Sequence, residues 1–138
     1  MVCGATPRMR RQFPGVPTAS TSARAFLRAA LQTWELDGLG EVTELLTSEL
    51  VSNIVRHVGS AMTVRALRQP SRIRLEVDDP NPEPPVLRRP EPRDPRGRGI
   101  LLVDTLADNW GTEVSDDGKT VWFEIDARTA PEEIHISE

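Results

Sequence analysis

The first clear pattern along the chain has helical spacing. Ala23, Phe26, Leu27, Ala30, Leu31 and Trp34 fall at i, i+3, i+4, i+7, i+8 and i+11, which predicts an amphipathic helix with one buried stripe. A short extended segment precedes it, and Thr18, Ser20, Thr21 and Ser22 are all competent N-caps. "LDGLG" is expected to break the pattern, and a second helix is predicted from about Glu41 to Val58. The period then changes to two. "SAMTVRAL" reads as a strand, "RQPS" as a turn and "RIRLEVDD" as a second strand, in which Ile73, Leu75 and Val77 alternate with Arg72, Arg74 and Glu76. The run "PNPEPPVLRRPEPRDPR" holds seven of the twelve prolines and suits neither a regular helix nor a central strand. "GRGILLVDTLAD" predicts a glycine-opened helix of about two turns. A hairpin closes the chain, with "NWGTEV" and "TVWFEID" joined at "SDDGK".

This order of elements predicts an α+β fold. About three helices would cover one face of a mixed, mostly antiparallel sheet, giving a two-layer sandwich. Residues 1–10 are expected to be a disordered tail, 11–126 a single domain with a lid at about 80–96, and 127–138 a second tail. A net charge of −4 and a pI near 5.3 argue against direct nucleic-acid binding. Sixteen of the seventeen basic residues are arginine, as in a GC-rich coding sequence, and the one lysine is Lys119. Cys3 is the lone cysteine, so neither an internal disulfide nor a cysteine-rich metal site is expected. Without a signal-like apolar segment or a membrane-length run, the expectation is a soluble cytoplasmic protein.

Three features then carry possible chemistry. In "TELLTSELVSNIVRHV", Glu49, Asn53 and His57 form an i, i+4, i+8 ladder. With Glu49 at zero, Val42, Leu46 and Leu50 fall at about 20°, 60° and 100°, on the same side of the helix as the ladder. A carboxylate and an amide there can hold a hydrated Mg²⁺ or orient a hydroxyl. The simpler alternative has Glu49 snorkelling from the stripe's edge and Asn53 capping a neighbouring backbone group. At the strand end, alternation puts Asp79 on the face of Ile73, Leu75 and Val77. It can accept a hydrogen bond from a ligand amine in an apolar pocket, or simply start a turn. Finally, Gly97 and Gly99 flank Arg98 before an apolar helix, a natural place for phosphate, with Arg96 and Arg98 as the best-placed arginines. Glycines there also simply permit a turn.

Taken in order, these blocks resemble the histidine-kinase-like (GHKL) ATPases, whose Bergerat fold binds ATP beneath a lid. "SELVSNIVRHV" is similar to the N box of that family, "VDDPNPEPP" to its first glycine box, "GRGILLVDTLADNWG" to its second and "GKTVWFE" to its closing strand. The resemblance covers about residues 11–126. It implies Glu49 as the base or water-orienting carboxylate, Asn53 as the Mg²⁺ ligand, Asp79 as the adenine reader, and Arg96, Gly97, Arg98 and Gly99 beside the phosphates. Thr120 is a further candidate nucleotide contact, although it alternates away from Asp79. Two departures stand out. The D-x-G-x-G pattern reads Asp79-Pro80-Asn81-Pro82-Glu83, and Lys119 stands where the family has an inward threonine.

A chain of 138 residues has no room for the transducer domains of gyrase, mismatch-repair and chaperone members, or for the phosphoacceptor helices of sensor kinases. The resemblance is therefore strongest to the small anti-sigma-factor serine/threonine kinases. It implies ATP and Mg²⁺ as cofactors, phosphorylation of a small antagonist protein, control of a sigma factor, and pairing as a homodimer. The alternative is a nucleotide-dependent protein-binding module with little catalysis.

Overall fold

The computed structural model describes residues 6–80 and 99–127, with backbone alone at 99–101. Five strands and three α-helices follow in the order β1 (Arg8–Phe13), α1 (Ala19–Thr33), α2 (Gly40–His57), β2 (Met62–Gln69), β3 (Arg72–Asp79), α3 (Gly99–Leu106), β4 (Asn109–Ser115) and β5 (Gly118–Asp126). A 3₁₀ turn, Asp37–Leu39, joins α1 to α2.

The helical stripe of α1 is buried as its spacing requires, through Ala23, Phe26, Leu27, Ala30 and Leu31. The helix ends before the expected glycines. Glu35 takes a left-handed conformation at φ 59°. Leu36 N–H then donates to Leu31 O at 2.8 Å, and Glu35 N–H to Gln32 O at 3.1 Å. Those two bonds, with Leu31 and Leu36 both buried, make a Schellman closure in which glutamate fills the position glycine usually takes.

The sheet order is β1-β2-β3-β5-β4, and every pairing among the described residues is antiparallel. The mixed component expected from sequence is therefore not found there. β1 begins at Arg8, inside the stretch expected to be a loose tail, and pairs with β2 from Arg8↔Leu67 to Phe13↔Met62. With only Met9 and Phe13 apolar, this edge strand is specified by backbone pairing more than by alternation. The inner face of the sheet carries Met62, Val64 and Ala66 from β2, Ile73, Leu75 and Val77 from β3, and Val121, Phe123 and Ile125 from β5. These pack in one core with the buried faces of α1 and α2, while α3 lies against α2. Phe13 and Phe26 meet edge to face, their centroids 6.1 Å apart, which joins β1 to α1.

The outer face is a lattice of charge. Arg65 bonds Glu76 and Asp78, Arg74 bonds Glu76 and Glu124, and Arg72 and Asn109 also reach Glu124. The Arg74 guanidinium lies 4.0 Å above the Trp122 ring. No helix among the described residues is long and apolar enough to cross a membrane.

Candidate nucleotide site

The site begins on the flank of α2. Its buried positions are Thr43, Leu46, Thr47, Leu50, Val51 and Ile54, so the face is rotated from the Val42–Leu46–Leu50 stripe that spacing suggested. The reason is local. Thr43 Oγ1 donates to Leu39 O, and Thr47 Oγ1 to Thr43 O, each at 2.7 Å. Each hydroxyl is satisfied by its own helix, so both threonines can be buried without an orphaned polar group. That rotation moves Glu49 and Asn53 to the margin, where both are half-buried. Neither side chain makes a hydrogen bond or ion pair among the described residues. His57 is exposed, one turn further on.

At the far end of β3, Asp79 arrives on the core face as the alternation requires and is buried. It lies directly opposite Lys119 of β5 in the strand register. The Lys119 Nζ donates to Asp79 Oδ1 at 3.2 Å and stands 3.0 Å from Oδ2; the side chains are 7% and 0% exposed. The β4–β5 turn fixes this meeting. Gly118 sits at φ 153°, and a methyl group there would overlap the Asp79 carbonyl. A cleft of about 270 Å³ opens at this end of the sheet, with Asp79, Pro80, Met62, Thr63, Asp78 and Asp117 among its lining residues.

The neighbouring cross-strand pair has a different role. Thr120 lies opposite Asp78, on the outer face, and its hydroxyl donates to Asp78 Oδ1 at 2.5 Å. Thr120 was a candidate nucleotide contact, but the structure does not bring it to the side of Asp79, because adjacent strand residues face opposite ways. Burial would raise the Asp78 pKa, but hydrogen bonds from Arg65 and Thr120 and the nearby arginine charges outweigh it and hold the carboxyl below its ordinary range.

Gly99 is the first residue of α3. The helix is tied to β4 through Trp110, whose Nε1 donates to Asp104 Oδ1 at 2.8 Å. The candidates Arg96, Gly97 and Arg98 lie outside the described residues.

A family model for the histidine kinase-like ATPase domain matches residues 13–125 of this chain. The chain belongs to that family. Among solved structures, this histidine kinase-like ATPase domain is similar to the RsbU and RsbW domains of Rv1364c from Mycobacterium tuberculosis. The TM-score is 0.67 at 19% identity, covering 88% of this chain and 32% of that one. The chain thus spans about a third of that longer protein. The histidine kinase domain of the blue-light-activated kinase EL346 from Erythrobacter litoralis also matches, with TM-score 0.52 and 15% identity, over 100% of this chain and 71% of the other. At such identities the likeness is one of fold. A closer relative in sequence is an uncharacterized protein of Streptomyces coelicolor, 37% identical over 79 residues, or 54% of this chain and 75% of that one.

The side chain that sequence reasoning undervalued in this ATPase domain is Lys119. It appeared only as a departure from a threonine, not as the partner of Asp79. The signal was available in the strand alternation: Lys119, Val121 and Phe123 share one face, and that face is the core.

Proposed function

We propose that this histidine kinase-like ATPase domain is an ATP-dependent serine/threonine protein kinase of the anti-sigma type, which phosphorylates a small antagonist protein and controls a sigma factor. The observation that carries this reading is the Glu49–Asn53 pair, a half-buried carboxylate and amide one turn apart with no protein partner among the described residues. Oxygen donors suit Mg²⁺, which keeps waters and phosphate oxygens in its shell and does not require an all-protein cage. One carboxylate and one amide oxygen, half-buried on one helix flank, are a donor set that fits that mode. Asn53 would hold the ion, which when bound neutralises phosphate charge. Glu49 would orient the acceptor hydroxyl and take up its proton. Asp79 would accept a hydrogen bond from the adenine amine, and Gly99, with Arg96, Gly97 and Arg98, would surround the phosphates.

The fold likeness to an RsbW-containing protein supports a protein partner of the antagonist or sigma-factor kind. The test is incubation with γ-labelled ATP, Mg²⁺ and small antagonist proteins encoded nearby. Phosphoserine or phosphothreonine on one of them is the expected product. ATP binding without transfer to any of them would favour the second reading, a nucleotide-dependent binding module. That alternative draws on the Asp79–Lys119 pair, which alters the base pocket where the family has threonine.

A further inference from the structure

We propose that Lys119 is a base-specificity residue. It would donate to ring N1 of adenine while Asp79 accepts from the exocyclic amine, so that the two side chains together read the Watson–Crick edge. The inference rests on the nucleotide-binding reading above and goes beyond it.

Four observations converge on this pair. First, the ammonium and carboxylate sit side by side, 3.0–3.2 Å apart, on facing residues of β3 and β5. They therefore present a donor next to an acceptor, and the adenine edge offers the complement: an amine donor beside a ring-nitrogen acceptor. Second, neither group is limited to a single partner. An ammonium has three N–H donors and a carboxylate about four acceptor sites.

Third, stability alone gives little reason for the arrangement. Desolvating two charges largely offsets their attraction, and well-packed apolar residues often serve as well. The four residues flanking the pair on this face, Val77, Leu75, Val121 and Phe123, are all apolar and buried. Fourth, Lys119 is the only lysine in a chain with sixteen arginines. A compact ammonium on a flexible stem can lie beside both a carboxylate and a ring nitrogen, whereas a planar guanidinium would engage the carboxylate through both of its forks. Gly118 and Asp79 pack backbone to backbone at the end of β3, and Asp79 is among the residues that line the cleft opening there.

The test measures binding of ATP, 1-deaza-ATP (ring N1 replaced by C–H) and GTP to the full chain with Mg²⁺ by calorimetry. The wild-type protein is expected to bind ATP about ten- to a hundredfold tighter than 1-deaza-ATP, the range of one hydrogen bond to a charged group. Lys119→Met should lose most of that preference by weakening ATP while barely changing the deaza analogue. Equal wild-type affinity for ATP and 1-deaza-ATP would overturn the inference, and so would a preference for GTP or tighter ATP binding by Lys119→Met. The wild-type comparison needs no substitution, so it stands even where Lys119→Met folds poorly. If the wild-type protein binds none of the three, the nucleotide-binding reading itself fails. If it binds ATP with no dependence on N1, only the role of Lys119 fails.

Discussion

At the scale of single residues, the candidate chemistry divides between two side chains at the margin of a helix and two at the end of a strand. Glu49 and Asn53 share one helix flank, and their roles are separable. Glu49→Ala should lower phosphoryl transfer by about a hundredfold or more, the usual contribution of a positioned base, while leaving ATP affinity unchanged. Asn53→Ala should instead remove the dependence of ATP binding on Mg²⁺. Calorimetry with and without the metal, alongside a transfer assay, tells the two apart. Equal transfer by Glu49→Ala and wild type would sink the base assignment. His57 shares the ladder spacing but is exposed, so His57→Ala should change neither measurement. Spacing identified all three positions. It could not rank them, because rank depends on how far α2 is rotated into the core, and the threonine hydroxyls decide that.

At the scale of elements, two closures control how the helices and strands meet. Glu35 ends α1 in the left-handed region, a conformation that costs a non-glycine residue roughly 1 kcal/mol or more. Glu35→Gly should therefore stabilise the protein by about 1 kcal/mol in urea titrations; a loss of stability would show that the Glu35 side chain does more than close the helix. The β4–β5 turn is the opposite case. Gly118→Ala would push a methyl group into the Asp79 carbonyl at a φ that side chains rarely adopt. The expected cost is more than about 1 kcal/mol, together with weaker ATP binding because Asp79 and Pro80 must shift. A third element-level device is the Trp110–Asp104 bond, which couples α3 to the sheet. Nucleotide binding at the start of α3 should change tryptophan fluorescence, and Trp110→Phe should remove most of that change while Trp34→Phe should not.

For the whole molecule, the outer face of the sheet links β2, β3, β5 and β4 through shared carboxylates. Burial would raise Glu124, but hydrogen bonds from Arg74, Arg72 and Asn109 and the Arg74 charge hold it below its ordinary 4.5, as Arg65 and Thr120 hold Asp78 below 3.8. Depressed carboxylate values give stability that is fully present above the ordinary values and is lost as pH falls through the folded-state ones. Urea midpoints should thus be flat near neutrality and drop once pH is below about 4. Arg65→Met should shrink the Asp78 share of that drop. The same acid dependence in wild type and Arg65→Met would show that the lattice contributes nothing to it.

Sequence alone determined the identity and order of the helices and of β2 to β5, the α+β class and the core-facing side of Asp79. All of these follow from local periodicity, which backbone geometry reads directly. Tertiary structure decided what depends on partners far along the chain. It placed β5 between β3 and β4 and drew Arg8–Arg10 into an edge strand. It also set Lys119 against Asp79, forty residues away. That register comes from strand pairing and the packing of Gly118, which no local spacing encodes.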